Sequence, residues 1–104
     1  MPDNLDYDFF ATKHDYSMDY VPEILKKGVK VIDLSADFRL SNEKLWQETY
    51  DRKHRADDLL PQAVYGLPEH FAEKIKAANL VAVPGCYPTA SILGLLPVLS
   101  LIHI

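Results

Sequence analysis

Val83-Pro84-Gly85-Cys86-Tyr87-Pro88-Thr89-Ala90 carries the one cysteine of a 104-residue chain. The thiol stands between two prolines, just after a glycine, at the junction of two apolar runs. A thiol in such a turn has two uses. It can pack as a small apolar side chain, or it can attack a carbonyl carbon as the thiolate. Pro84 and Gly85 shape a tight turn, Gly85 because it tolerates backbone that other residues resist. Pro88 suits the first position of a helix. Cys86 then lies at, or just before, a helix N-terminus, where unpaired N–H groups and the helix dipole favour an anion and hence the thiolate. The same N–H groups would hold an oxyanion formed during the attack. The turn alone leaves both uses open.

The elements that must position this turn follow from the pattern upstream. Leu80–Val83 reads as a short buried strand delivering the chain to Cys86, and an apolar helix is expected from about Pro88 onward. Asp8–Thr12 reads as a strand with aromatic residues. A helix follows, with Ser17 as N-cap, Pro22 near its first turn, and Met18, Val21, Ile24 and Leu25 on one face. Lys26 and Lys27 suit its last turn and Gly28 its stop. Val29–Leu34 is β-branched and nearly continuous, a second strand. Strand, helix and strand with short joints form a βαβ unit, which implies parallel pairing with a right-handed crossover. Ser35–Leu40 leaves the carboxyl end of that strand, the edge where open α/β sheets bind ligands. Residues 42–50 are expected to be helical with Leu45, Trp46, Thr49 and Tyr50 inward, and Trp46 in the core. Residues 51–60 read as irregular and 63–68 as a loop. Glu69–Ala78 reads as a helix with Phe71, Ile75 and Ala78 on one side.

Bulk composition narrows the function classes. The chain is 48% hydrophobic and 25% charged, as in a soluble globular domain. A net charge of -4 with scattered Lys and Arg speaks against a nucleic-acid surface. One cysteine makes no internal disulfide, which fits a reducing compartment, and one Cys with four dispersed His gives no zinc pattern. The acidic N-terminus lacks a signal-peptide layout. The apolar run Ile92–Ile102 is too short and interrupted to span a bilayer, which needs about 20 residues. A cytoplasmic protein with no membrane partner is expected. No G-x-G-x-x-G phosphate loop can be drawn among the four glycines.

Gly85-Cys86-Tyr87-Pro88-Thr89-Ala90, Val31-Ile32-Asp33-Leu34-Ser35-Ala36-Asp37-Phe38-Arg39-Leu40 and Val64-Tyr65-Gly66-Leu67-Pro68-Glu69 together resemble the N-acetyl-gamma-glutamyl-phosphate reductase family, relatives of aspartate-semialdehyde dehydrogenase. The motifs stand in the family's order, and the likeness covers roughly residues 8–99. It implies an α/β fold: a partial Rossmann-type parallel sheet with a βαβ unit, running into the start of an α+β catalytic domain. Residues 1–83 would be the C-terminal part of a dinucleotide-binding domain and 84–104 the start of the catalytic domain. It implies NADPH as cofactor, a small-molecule acyl phosphate as substrate, a place in arginine biosynthesis, and a homo-oligomeric full-length enzyme. By this likeness Cys86 attacks the acyl phosphate, phosphate leaves, and the thioester is reduced to N-acetylglutamate semialdehyde.

The resemblance also assigns other residues. Arg39, Tyr87 and Thr89 fall on the substrate side, and His14, Ser35 and Gly85 on the cofactor side. Each has a plainer use. Arg39 can grip a carboxylate or phosphate in bidentate fashion, or pair with Asp33 or Asp37. Ser35 can serve as a turn residue, Tyr87 can simply pack, and Thr89 can hydrogen-bond within the helix start. Tyr65-Gly66 reads as loop geometry. His14 faces the nicotinamide or is a solvated loop histidine. The family reads Ala-Leu-Pro-His-Gly where this chain has Ala11-Thr12-Lys13-His14-Asp15, so Lys replaces Pro and Asp replaces Gly. His54, His70 and His103 receive no role. The family's glycine-rich loop is expected before this stretch and its general acid/base histidine after it. Negligible reductase activity is therefore expected of these residues alone. Met1–Asp6 has no counterpart in the likeness, and Leu101–Ile104 is expected to expose apolar surface. Three alternatives stand beside this one. The first is the paralogous reductase of a lysine route, the second a Cys–His hydrolase using His14, and the third a non-catalytic α/β binding module with a structural cysteine.

Overall fold

The computed structural model describes residues 4–102, with side chains through Leu99. Met1–Asp3, His103 and Ile104, and the side chains of residues 100–102, including the Leu101–Ile104 stretch expected to expose apolar surface, lie outside the described residues. Four strands form one parallel sheet: β1 (Tyr7–Phe10), β2 (Lys30–Asp33), β3 (Val64–Tyr65) and β4 (Leu80–Ala82), in the order β1-β2-β4-β3. The helices are α1 (Ser17–Lys26), α2 (Glu43–Tyr50), α3 (Pro68–Ala77) and α4 (Cys86–Ile102), with a 3-10 helix at Asp57–Gln62. The βαβ unit expected from β-branched and helical patterning is β1-α1-β2, its strands paired with Tyr7 opposite Lys30 and Phe10 opposite Asp33.

The two faces of the sheet differ. Val31, Asp33, Leu80 and Ala82 point to one face and are fully buried. Met18, Val21 and Ile24 from α1 and Trp46 from α2 join Val31, Leu80 and Ala82 in the core there. Phe38, Leu59 and Leu60 from the connecting segments complete this layer. On the other face Phe9, Ile32, Val81 and Val64 stand side by side in register, with Phe9 65% exposed. The chain moves from β2 past β4 to β3 and then back, so a right-handed return crossover carries α3 on the face opposite α1. Leu67 and Ala78, at its two ends, are buried outside the main core cluster. Gly66 allows β3 to approach β4: its N–H donates to Ala82 C=O at 2.8 Å, and a Cβ there would lie 2.8 Å from Val81 Cγ1.

Several local expectations change. Ser17 is not an N-cap. It is the first residue of α1, buried, and its hydroxyl is engaged in tertiary bonds rather than with its own helix. Leu45 and Thr49 are exposed, because the short α2 turns inward only the residues four apart, Trp46 and Tyr50. Asn42 caps α2 through its side chain, accepting from Leu45 N–H at 3.0 Å. Val64–Tyr65 is a strand rather than part of a loop, since its backbone completes the edge beside β4. Residues 57–62 form a 3-10 turn rather than irregular chain, tucking Leu59 and Leu60 into the core. The apolar helix begins at Cys86, so Pro88 occupies its third position, not its first. Among the described residues no helix is long and apolar enough to cross a membrane.

Candidate active site

All four strands run parallel, so the loops after β1, β2 and β4 meet along one carboxyl edge. The loop after β4 is Val83-Pro84-Gly85, and it delivers Cys86 as the first residue of α4. Thr89 N–H donates to Gly85 C=O at 3.0 Å, closing the first turn of the helix. Within that turn the N–H groups of Cys86 and Tyr87 have no intrahelical acceptor, and Pro88 has no N–H. Cys86 is a free, exposed thiol and not a buried core residue. Tyr87 is 85% exposed and packs against nothing. Thr89 is half-buried, and its hydroxyl donates to Gly85 C=O at 2.7 Å. That proton is therefore engaged within the helix start.

Arg39 ties two strand ends together. Its Nε donates to Val83 C=O at 2.8 Å, after β4, and its Nη2 donates to Leu34 C=O at 2.9 Å, after β2. Neither Asp33 nor Asp37 pairs with it, because both carboxyls are turned into the sheet-side interior. Nε and one Nη2 N–H, the side-on face of the guanidinium, already meet backbone, which leaves the end-on face of Nη1 and Nη2 for an anion. What remains toward the cysteine turn is Nη1, which would lie 3.4 Å from a Cβ built at Gly85. Arg39 also lines a cleft of about 510 Å³ between the β3–α3 segment and α4, with Tyr65, Leu67, Phe71, Ile92 and Leu96. Burial pushes the Tyr65 phenol above its ordinary range.

The loop after β2 is held from several sides. Ala36 N–H donates to His14 Nδ1 at 2.9 Å, and Ala36 C=O accepts from Trp46 Nε1 at 3.0 Å. Asp37 C=O lies 2.7 Å from His54 Nε2, whose other ring nitrogen accepts from Ala56 N–H at 3.0 Å. His54 is therefore the Nε2–H tautomer, a buried clamp that its sequence context gave no reason to single out. Ser35 is 1% exposed, its hydroxyl bonded to Asp33 and Ser17. Its hydroxyl is taken up inside the protein, so a cofactor contact at this residue would be made by its backbone. Ser17, Asp33, Ser35 and Asp37 form a buried polar cluster behind the site. The available sequence signal was three polar residues alternating at 33, 35 and 37 where an apolar strand ends.

His14 is exposed on the β1 side of the edge, with β2 between it and the cysteine turn. Two strand spacings amount to about 10 Å. Its Nδ1 accepts a hydrogen bond, so in the neutral ring Nε2 carries the proton. Among the described residues no histidine is hydrogen-bonded to Cys86, and the His14 ring is held instead by Ala36 N–H. Next to His14, Asp15 has φ 79°, the left-handed backbone that glycine adopts most easily. Asp15 is fixed there by Arg55 Nη1 at 3.1 Å and Arg52 Nη1 at 3.4 Å. Arg55 also grips Asp19 through Nε and Nη2 at 2.7 and 3.0 Å, which holds the Asp19 carboxyl below its ordinary range. An open hollow of about 750 Å³ lies over these residues, lined by Lys13, His14, Tyr16 and Tyr20 among others. Among the described residues no group of three His, Cys, Asp or Glu could hold a metal ion.

Comparison with known proteins places the chain in a family. The family model described as "Semialdehyde dehydrogenase, NAD binding domain" matches residues 2–78, ending before Cys86. The chain is 56% identical over 95 residues to the N-acetyl-gamma-glutamyl-phosphate reductase of Magnetococcus marinus, covering 91% of this chain and 27% of that protein. It is 55% identical over 92 residues to the protein of that name from Nitrosococcus oceani, covering 88% and 27%. With the Acidithiobacillus ferrooxidans protein it shares 52% over 96 residues, covering 92% and 28%. The chain thus spans about a quarter of the length of the curated relatives it matches.

Proposed function

The chain belongs to the semialdehyde dehydrogenase NAD-binding family, and on that premise we propose that it supplies the nucleophile and part of the cofactor face of a nicotinamide-dependent acyl-phosphate reductase. N-acetyl-γ-glutamyl phosphate is the substrate this reading assigns, after the names of the relatives, and NADPH the cofactor. The observation that carries it is the exposed Cys86 at the first position of α4, on the carboxyl edge of a parallel sheet.

The chemistry follows from the turn. The Cys86 thiolate attacks the acyl carbon, the bond to the phosphate oxygen breaks, and phosphate leaves with its electron pair. The acyl group stays on Sγ as a thioester. The Cys86 and Tyr87 N–H groups point along the helix N-terminus toward the oxyanion that forms on the way. Arg39 Nη1, beside Gly85, adds positive charge on the same side. A bound nicotinamide dinucleotide would supply the hydride for the acyl carbon; the bond from that carbon to Sγ then breaks, and Cys86 is released as the thiolate with the aldehyde. These residues fit the ring end of that cofactor: the carboxyl edge is open, and Gly85 has no Cβ between the strand end and Arg39. They do not fit its pyrophosphate, since no G-x-G-x-x-G occurs.

The test is Cys86→Ser in the intact protein. Turnover is expected to fall by about 10³-fold or more, and mass spectrometry of the parent mixed with the acyl phosphate, without reductant, is expected to find the acyl adduct on Cys86. Undiminished turnover by Cys86→Ala would remove this reading.

A further inference from the structure

We infer that Asp33 and Asp37 together hold one negative charge, with a proton retained on Asp33 Oδ2 and donated to Ser17 Oγ, which in turn donates to the Asp37 carboxylate. The inference is independent of the reaction assigned above. It rests on counting protons between buried oxygens.

Ser17 Oγ lies 2.7 Å from Asp33 Oδ2, 2.8 Å from Asp37 Oδ2 and 2.8 Å from Ser35 Oγ. Ser35 Oγ lies 2.9 Å from Asp33 Oδ2. These four contacts link two hydroxyls and two carboxyl groups, and the hydroxyls bring one proton each. With both carboxyls ionised, the single Ser17 proton would have to serve two carboxylate oxygens. Whichever it left would face a hydroxyl lone pair at 2.7 or 2.8 Å in a region with almost no water. All four residues are at most 1% exposed. A third proton, on one carboxyl, turns both contacts between Ser17 and the carboxyls into hydrogen bonds; the Ser35 hydroxyl, which also accepts from Asp37 N–H at 3.2 Å, gives its one proton to either Asp33 Oδ2 or Ser17 Oγ.

Backbone donors decide which carboxyl keeps it. Asp37 accepts two, from Asp15 N–H at 2.8 Å on Oδ1 and from Met18 N–H at 3.1 Å on Oδ2. Met18 belongs to the first turn of α1, whose dipole also favours an anion. Asp33 accepts one, from Ser35 N–H at 2.9 Å on Oδ1. Asp33 therefore takes the proton and Asp37 the charge.

The surroundings supply no compensating cation. Across the sheet Asp33 is flanked by Phe10 of β1 and Ala82 of β4, neither titratable. Asp15 and Arg55 face the cluster with backbone only, Arg55 through its N–H on Met18 Sδ, and their charged ends pair with each other. Arg39 faces the Leu34 and Val83 carbonyls. His14 and His54 bind the Ala36 N–H and the Asp37 C=O. Burial accordingly pushes the Asp33 carboxyl above its ordinary range.

The experiment is infrared spectroscopy of the intact protein with isotope-labelled aspartate, at pH 7. A band of a neutral aspartic acid is expected in the parent and is expected to vanish in Asp33→Asn. Asparagine keeps a donor for Ser17 there, so the urea midpoint of Asp33→Asn should stay near the parent's. Asp37→Asn turns an amide donor toward N–H or O–H donors and should lose far more. No neutral-acid band in the parent, or a band that survives Asp33→Asn, overturns the assignment. If Asp33→Asn fails to fold, aspartate labelled at position 33 alone assigns the parent's band, and a band absent from that label overturns the assignment.

Discussion

Replacing Arg39 by lysine separates two roles that arginine could have at this edge. The two carbonyls it serves belong to the ends of different strands, Val83 after β4 and Leu34 after β2. A planar fork reaches both at once, and a lysine ammonium at the end of a flexible stem reaches one. Hydrogen bonds from a charged donor contribute about 1.5–3 kcal/mol each. Only the Val83 bond is half-buried, and the Leu34 bond is exposed, so the loss is set near the lower bound, about 2 kcal/mol. That is roughly a thirtyfold change in the folding equilibrium, and about a 1 M lower urea midpoint for a slope of 1–3 kcal/mol per molar. Urea titration of Arg39→Lys measures the first effect, and the iodoacetamide rate at Cys86 reads whether the turn has loosened. An Arg39→Lys protein with the parent's midpoint and alkylation rate, but a weakened KM, would refute the reasoning. It would show an arginine that binds substrate and does not staple strands.

Gly66→Ala is expected to destabilise the protein by about 1–3 kcal/mol, as overpacking does, because the new methyl meets Val81 Cγ1 at 2.8 Å and Ala82 O at 3.2 Å; thermal or urea unfolding measures it. Asp15→Gly relieves left-handed backbone at a cost in unfolded-chain entropy and exposed ion pairs, effects of about 1 kcal/mol or less that oppose one another. Its net change is expected within about 1 kcal/mol and should shift in favour of the glycine variant as salt is raised, since the parent alone loses the pairing with Arg52 and Arg55. The Asp19–Arg55 pair lowers the Asp19 value in the folded state, so its contribution is present above the ordinary carboxylate range and is lost as pH falls through that lowered value. Arg55→Gln should flatten this acid limb of the stability curve at low salt. The Asp33 shift has the opposite sign. From about pH 4 upward the unfolded chain releases its proton first, stability declines until the folded value is passed, and Asp33→Asn should abolish that decline.

Periodicity was enough for the elements that bury apolar side chains. The stripe of Met18, Val21 and Ile24 gave α1, the β-branched run gave β2, and strand-helix-strand gave the parallel pairing. The cysteine turn was legible as well, because proline and glycine constrain backbone locally. What could not be read was tertiary. Ser17 has the residue type of an N-cap, and only the arrival of Asp33 and Asp37 makes it the centre of a buried cluster. Arg39 carries the charge of an anion clamp, yet its partners are carbonyls whose positions depend on two strands ending side by side. Val64–Tyr65 is too short to show a period, and its strand character comes from the neighbour it pairs with. His54 offered no local pattern, and its role arises from the carbonyl and N–H that enclose it.

The strand order has a kinetic consequence. β1 and β2 meet across the single helix between them, whereas Val31 meets Leu80 only after the chain has closed a loop roughly twice as long, at greater entropic cost. The β1-α1-β2 unit is the local part of the sheet, and β4 docks between β2 and β3 as the long-range step. The features that the proposed chemistry uses depend on that step: the Arg39 bond to Val83, the Gly85 turn, and the opening of α4 at Cys86. Substitutions there should speed unfolding and leave the folding rate nearly unchanged. Folding and unfolding rates of Arg39→Lys test this order, with a slowed folding rate counting against it.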